Sequence, residues 1–108
     1  MVANYLRQNG HIIITRNYRS RFGEIDIIAE CGEYIIFIEV KTRGSGFIVS
    51  GAEAVGGKKQ LRLRLTAMDY LRKSCRELEP RFDVAEVTVT KRADGSDSYR
   101  LNYLKNAF

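Results

Sequence analysis

The chain has 108 residues with 44% hydrophobic content, which suits one compact domain over residues 1–108. Eighteen Lys and Arg against thirteen Asp and Glu give a formal net charge of +5, and this excess favours an anionic partner, either nucleic acid or an anionic membrane surface. No apolar run reaches the roughly 18 residues of a membrane span, and the opening MVANYLRQNG lacks the apolar core of a secretion signal. We therefore expect a cytoplasmic protein that does not enter a membrane.

The first half of the chain has the pattern of a short helix followed by three strands. Residues 1–9 have apolar residues at helical spacing and end before a glycine. A β-branched run at 11–15 predicts a strand, and the basic segment 16–23 predicts a connection. Two further strands are predicted at 24–30 and 34–42.

The second half of the chain alternates loop, helix and strand. A glycine- and serine-rich loop is predicted at 44–51, and apolar residues at helical spacing predict a long helix at 58–76. A strand at 82–90, a turn around residues 94–95 and a last strand at 98–104 follow.

Gly32 and Glu33 stand between two predicted strands and indicate a two-residue hairpin, because glycine suits the first central position of a type II′ turn. Cys31 then faces Tyr34, and the pairing continues outward from the turn in antiparallel register. By the alternation rule every second pair shares one face of the sheet. The expected pairs on that face include Ile28 with Phe37, Asp26 with Glu39, and Glu24 with Lys41.

The expected pair of Asp26 and Glu39 brings two carboxylates together, with β-carbons about 4.5–5.5 Å apart, and such a pair destabilises a sheet unless something offsets the repulsion. A shared proton, an ion network with Lys41, or a divalent metal bound by both acids would do so. The metal accounts for all three residue types, since Mg²⁺ takes carboxylate and phosphate oxygens while Lys41 orients a nucleophile. The chemistry expected of this set is phosphodiester hydrolysis.

The sequence resembles the D…E-x-K signature of restriction-endonuclease-like nucleases, with Asp26 followed, after twelve intervening residues, by Glu39, Val40 and Lys41. The wider pattern resembles the YraN-like family of uncharacterised bacterial proteins, in the segments YLRQNG, NYR, GEIDIIAE, IIFIEVKTR, AMDYL, RFDVAEV and NAF. That family is regarded as a group of predicted endonucleases related to archaeal Holliday-junction resolvases. The resemblance spans nearly the whole chain.

The resemblance implies a restriction-endonuclease-like α/β fold, a mixed sheet flanked by helices in αβββαβ order with an extra C-terminal strand. It also implies that Mg²⁺ or Mn²⁺ is held by Asp26, Glu39 and the backbone carbonyl of Val40. Lys41 takes the position of the catalytic lysine. Two features depart from the related enzymes: Ile25 stands where the broader signature has proline, and the first helix carries no acid.

The predicted helix at 58–76 is strongly basic, with Asp69 as its one acid. Its basic residues are Lys58, Lys59, Arg62, Arg64, Arg72, Lys73 and Arg76. A solvated helix face is the ordinary explanation of a charge run, but such faces usually intersperse acids. We therefore expect contacts to the phosphate backbone, without base-specific reading, from Arg43, Lys58, Lys59 and Arg62.

These features together predict a metal-dependent endonuclease that acts on DNA, including branched or structured DNA. Two alternatives stay open: a non-catalytic nucleic-acid-binding module that keeps the scaffold, and a small interaction protein whose acids form only a structural ion pair. Related resolvases are often dimers, so the resemblance also allows a homodimer. Cys31 and Cys75 are expected to be free thiols, and Asp83 is expected to make a structural hydrogen bond.

Overall fold

Two helices and five strands are present in the described part of the chain, residues 1–44, 56–75 and 77–108 of a computed structural model. The helices are α1 (Val2–Gln8) and α2 (Gly57–Ser74). The strands are β1 (Ile12–Ser20), β2 (Gly23–Cys31), β3 (Tyr34–Gly44), β4 (Glu79–Lys91) and β5 (Asp97–Leu104). This order confirms the predicted mixed sheet, αβββαβ with an extra C-terminal strand. Of the predicted loop at 44–51 only Gly44 is described, and Arg76 also lies outside the described residues.

The five strands lie side by side in chain order, from β1 to β5. Neighbouring strands are antiparallel except β3 and β4, which are parallel and are connected through α2. A parallel connection must carry the chain back along the sheet, so its helix starts near the end of the first strand. The first turn of α2 therefore lies beside the second half of β3, where Lys59 contacts Glu39.

The turn between β2 and β3 is the predicted two-residue hairpin. Gly32 has φ 59°, a left-handed conformation that favours glycine, and Cys31 pairs with Tyr34. The pairing follows the expected register as far as Ile27 and Ile38. Among the described residues the regular ladder between these strands ends there, so the acids further along do not form ladder pairs.

The prediction of a connection at 16–23 is wrong, because β1 continues as far as Ser20. Tyr18 and Ser20 hydrogen-bond to α2, through Asp69 at 2.6 Å and Thr66 at 3.2 Å. The arginines between and before them remain exposed, as an edge strand permits. The alternation of half-buried and exposed side chains is thus a strand pattern that the high charge of the segment hides.

β4 begins three residues before its predicted start, at Glu79, and so contains Pro80. The pairing of β4 with β5 begins only at Val84, which leaves one side of Pro80 without a neighbouring strand. A residue that lacks an N–H is tolerated at such an edge. α2 ends two residues earlier than predicted, followed by Cys75 in the left-handed conformation with φ 55°.

The sheet has a buried cluster on each face. α2 covers one face, where Phe37 and Leu63 belong to one cluster, and α1 covers the other, where Leu6 and Ile36 belong to a second. Because side chains alternate along a strand, the odd-numbered residues of β3 face α2. Neither helix described here is long and apolar enough to cross a membrane.

Asp83 is fully buried and makes the structural hydrogen bonds expected of it. Arg81 donates to both carboxylate oxygens at 2.9 and 2.8 Å, and the hydroxyl of Tyr103 donates at 2.6 Å. The backbone N–H of Asn106 donates at 2.9 Å. Burial and the contact with Asp83 raise the pKa of the Tyr103 hydroxyl. The network fastens the C-terminal segment to β4.

Candidate active site

Asp26 lies just beyond the point where the ladder between β2 and β3 ends. The backbone N–H of Val40 donates to Asp26 Oδ2 at 2.7 Å, so this side chain takes a hydrogen bond that a strand carbonyl would otherwise accept. The contact holds one carboxylate oxygen against β3 and leaves Oδ1 outside that bond. The two strands thus remain connected through a side chain while their backbones separate.

Glu39 is a buried acid, with 7% of its surface exposed, and it lies between two ammonium groups. Lys59 Nζ lies 2.8 Å from Glu39 Oε1, and Lys41 Nζ lies 3.6 Å from the same oxygen. A buried charge is costly unless it is paired. The two lysines therefore supply the partners that a buried carboxylate needs in the middle of the sheet.

Asp26 and Glu39 line one cavity of about 380 Å³ between the sheet and α2. The other residues that line it are Gly23, Glu24, Lys59, Arg62 and Leu63. The structure therefore brings the two acids to one space by a route that strand register did not predict. The cavity contains carboxylates on the sheet side and basic side chains on the helix side.

The environment of the cavity shifts three pKa values. Burial raises the pKa of Asp26, with further contributions from the carboxylates of Glu39 and Glu24, although the Val40 N–H opposes the shift. Burial, together with the neighbouring ammonium of Lys59, lowers the pKa of Lys41. Burial also disfavours the charge on Lys59, but the hydrogen bond with Glu39 outweighs it and raises the pKa of that lysine.

Glu24 does not face Lys41, contrary to the register expected from the hairpin. Its carboxylate is 2.8 Å from Arg19 Nε, and Arg19 is its ladder partner on β1. The ladder from β2 to β3 has already ended at this level, so β1 supplies the nearest partner. Glu24 therefore does not neutralise Lys41.

The four basic residues predicted to contact nucleic acid lie at different depths. Lys59 and Arg62 line the cavity, whereas Lys58 is exposed on the first turn of α2. Arg43 is half-buried on β3, two residues beyond Lys41, and it faces α2. Lys59 and Arg62 therefore give the α2 side of the cavity a positive charge.

Asp26 and Glu39 fit a divalent metal by the chemistry of their donor atoms. Mg²⁺ takes oxygen ligands, uses one or two protein carboxylates, and completes its shell with water and substrate oxygens. The described residues contain no group of three or more His, Cys, Asp or Glu side chains that would hold an ion by themselves. A metal bound through Glu39 Oε1 would have to displace Lys59, which contacts that oxygen.

Two contacts in the cavity were not expected from the sequence. Lys59 is expected to contact phosphate, yet it lies on Glu39, and Asp26 binds the backbone of Val40. The contact of Lys59 with Glu39 could have been predicted from the topology, because the helix of a parallel crossover starts beside the end of the preceding strand. No sequence pattern predicts the contact of Asp26 with Val40, since it forms only where the two strands separate.

Curated relatives match this chain along most of their length. A UPF0102 protein of Alkaliphilus oremlandii is 40% identical over 111 residues, covering 100% of this chain and 91% of the relative. A UPF0102 protein of Clostridium acetobutylicum is 42% identical over 105 residues, with 96% and 84% covered. One of Rhodococcus opacus is 46% identical over 90 residues, with 82% and 76% covered.

A solved structure of SfsA from Pyrococcus furiosus in complex with Ca²⁺ is also similar to this chain. The sequence identity is 16% and the TM-score is 0.39, and the match covers 95% of this chain and 58% of SfsA. A TM-score of that size supports no inference about the site.

The model of the uncharacterised protein family UPF0102 matches residues 1–87. This range contains α1, β1 to β3, α2 and most of β4, and with them Asp26, Glu39 and Lys41. The chain therefore belongs to the uncharacterised protein family UPF0102, the family that the YraN-like resemblance indicated.

Proposed function

We propose that this protein is a metal-dependent endonuclease that hydrolyses phosphodiester bonds in DNA, including branched or structured DNA. The observation that carries the proposal is the position of Asp26 and Glu39 in one cavity, with Lys41 3.6 Å from Glu39. Two acids beside a lysine provide the oxygen ligands and the positive charge that this reaction needs. The D…E-x-K resemblance of the sequence supports the same chemistry.

In this proposal Mg²⁺ or Mn²⁺ is held by the carboxylates of Asp26 and Glu39 and by the backbone carbonyl of Val40. When bound, the ion supplies Lewis-acid activation of the scissile phosphate and of a water molecule. The Val40 N–H orients Asp26, because its 2.7 Å hydrogen bond fixes one carboxylate oxygen against β3. Asp26 Oδ1 lies outside that bond and is the oxygen proposed to bind the ion.

Lys41 is the proposed catalytic lysine. It lies two residues from Glu39 on β3, so the two side chains face the same side of the sheet. Its ammonium is half-buried, where water screens it less than at an exposed site. There it can orient the attacking water and stabilise the negative charge that develops on the phosphate.

The basic side chains around the cavity are proposed to bind the phosphate backbone of DNA. Arg62 on α2 lines the cavity, and Lys58 lies on the first turn of α2, which contains no acid. Arg43 lies on β3, two residues beyond Lys41. Lys59 would join this group if it released Glu39. Contacts of this kind position DNA without specifying its sequence.

A non-catalytic nucleic-acid-binding module is the second candidate, and one contact favours it. Lys59 already neutralises Glu39 at 2.8 Å, so the buried acid has a structural partner in the absence of metal. In this alternative, DNA binding would weaken with salt and would not depend on a divalent ion.

The test is a cleavage assay with plasmid, single-stranded and four-way-junction DNA in Mg²⁺ or Mn²⁺. We expect cleavage that Asp26→Asn and Lys41→Met each reduce by at least about 100-fold, the range found when a catalytic acid, base or charge-stabilising group is removed. Glu33→Gln is the matched control, because Glu33 is an exposed acid in the β2–β3 turn. Cleavage equal in all variants, or metal-independent binding without cleavage, would contradict the enzymatic proposal.

A further inference from the structure

Glu86 lies on β4 directly beside Lys41 of β3. The two residues are partners in the parallel register, and adjacent strands are about 4.8 Å apart. Val84, two residues earlier on β4, is in the buried cluster under α2, so Glu86 faces the same side of the sheet as Lys41 and Glu39. A second carboxylate is thus within reach of the proposed catalytic lysine.

Glu86 has an unusual feature: its Oε2 atom is buried and accepts no hydrogen bond from any residue that the structure describes. Buried carboxylate oxygens are normally hydrogen-bonded, and one that is not is costly. The neighbouring strand on the other side offers Asn102, its ladder partner on β5, but that residue is exposed. Glu86 Oε2 is therefore able to accept a hydrogen bond, and it belongs to the ladder partner of Lys41.

Lys41 and Lys59 share one acceptor, Glu39 Oε1. Lys41 Nζ lies 3.6 Å from this oxygen and Lys59 Nζ lies 2.8 Å from it. A divalent cation on Glu39 would repel both ammonium groups, and each would need another anion. Lys59 lies on the first turn of α2 with a partly exposed side chain, whereas Lys41 lies on β3 and is half-buried. Lys41 therefore needs a partner within the sheet, and Glu86 is adjacent to it.

We propose that Glu86 is a positioning residue whose carboxylate accepts a hydrogen bond from the Lys41 ammonium when Glu39 binds another cation. The catalytic role of this contact rests on the proposed function. The Lys41 ammonium moves from Glu39 to Glu86 Oε2, where it remains beside the cavity instead of turning into solvent. Glu86 thereby keeps the charge of Lys41 close to the reacting phosphate.

A metal-free crystal structure of Glu39→Leu tests the new contact without any cleavage. Leucine removes the acceptor that holds Lys41 and leaves Glu86 unchanged. We expect Lys41 Nζ within hydrogen-bond distance of the Glu86 carboxylate, about 2.7–3.2 Å. A structure in which Lys41 points away from Glu86 would overturn the inference, whether or not the protein is a nuclease.

Cleavage kinetics give a second test that does not require a stable Glu39 variant. Glu86→Gln should lower kcat by about tenfold or more, with KM and the Mn²⁺ affinity changed by less than about twofold. Glu86→Asp should restore part of the loss. Added to Lys41→Met, Glu86→Gln should have no further effect, because it acts through that lysine.

Losses that multiply in the double variant would overturn the positioning role, as would a loss of Mn²⁺ affinity in Glu86→Gln. If Lys41 contacts Glu86 in the Glu39→Leu crystal while the wild-type protein cleaves no DNA, the contact stands and the nuclease proposal fails. The two claims therefore have separate outcomes.

Discussion

Asp26 connects the fold to the proposed chemistry more directly than any other residue of the cavity. It accepts the backbone N–H of Val40, and it lies half-buried near Glu39 and Glu24. Burial and these two carboxylates raise its pKa, so the folded state disfavours the ionised form. Such a residue costs stability at neutral pH, as expected of side chains kept for function.

Asp26→Asn should therefore stabilise the metal-free protein at pH 7, by up to about 1 kcal/mol. The amide oxygen still accepts the Val40 N–H, and the charge is removed. Because the pKa of Asp26 is raised in the folded state, the difference in free energy of unfolding between variant and wild type is fully present above that raised pKa. The difference shrinks as pH falls and vanishes below the unfolded-state pKa of about 3.9. Urea denaturation at pH 7 and near pH 3 measures it.

Asp94→Asn is the control with the opposite sign. Hydrogen bonds from the side chain and backbone of Ser96 lower the pKa of Asp94, so its ionised form is favoured by folding and its removal should destabilise the protein at pH 7. A metal-free Asp26→Asn protein that is less stable than wild type at pH 7 would contradict our account of Asp26.

The proposed metal, if bound through Glu39 Oε1, would have to displace Lys59, whose Nζ lies 2.8 Å from that oxygen. Lys59→Met should raise the affinity for Mn²⁺ about three- to tenfold, since the metal no longer competes with a protein cation. Isothermal titration calorimetry without DNA measures the effect. Lys58→Met removes the same charge from the preceding, exposed position and should leave the affinity unchanged. Equal affinities for wild type and Lys59→Met would contradict the displacement of Lys59 by the metal.

At the level of elements, the site depends on where strands pair and where they stop. The two-residue hairpin and the register near it follow from Gly32 and the apolar alternation, and both are confirmed. The end of the ladder after Ile27 and Ile38 is not visible in the sequence, because local pattern does not report where two backbones separate. That is why the pairing of Glu24 with Lys41 is wrong while Asp26 and Glu39 still share a cavity.

β1 and β4 show why strand bounds were too short. Arg16 and Arg19 hide the alternation of the second half of β1, and Pro80 suggests a break where β4 has a free side. The helix bounds are closer, since α2 keeps helical spacing over many turns. Long-range contacts, such as that of Lys59 with Glu39, need the crossover topology as well as the sequence.

Tyr18 connects β1 to α2, the helix that carries Lys59 and Arg62 of the cavity. Its hydroxyl donates to Asp69 Oδ2 at 2.6 Å, and this bond, with burial, raises the pKa of Tyr18 to about 12. Tyr18→Phe should destabilise the protein by about 1–2 kcal/mol. Because the pKa of Tyr18 is raised in the folded state, the difference in free energy of unfolding is present below about pH 10. It is lost as pH rises through about 12.

Thermal unfolding of Tyr18→Phe measures this effect, with Tyr99→Phe as the control. Tyr99 is 58% exposed on β5, so loss of its hydroxyl should change the free energy of unfolding very little. Equal destabilisation by the two substitutions would contradict the role assigned to the bond between Tyr18 and Asp69.

Over the described part of the molecule, one helix carries much of the basic charge, as the proposed binding of DNA requires. The net charge is +5, and α2 places basic residues on the face of the sheet that carries the acids. α1 lies on the opposite face and carries Arg7, an exposed arginine. The two faces therefore offer a matched comparison of the same charge at different distances from the cavity.

Arg62→Ser should weaken DNA binding and reduce the slope of log affinity against log salt by about 1, because one phosphate contact is lost. Arg7→Ser makes the same change of charge on the other face and should leave the slope nearly unchanged. Fluorescence anisotropy with a labelled duplex, between about 50 and 200 mM salt, gives both slopes. The same loss of slope in both variants would indicate a diffuse charge effect and not a binding surface beside α2.

Anomalous diffraction from a crystal soaked in Mn²⁺ is the decisive test of the proposal that Asp26 and Glu39 hold one divalent ion. We predict one anomalous peak within about 2.0–2.3 Å of a carboxylate oxygen of each residue, with Lys59 displaced from Glu39. A crystal that shows no peak in the cavity, with Lys59 still on Glu39 Oε1, would contradict the account.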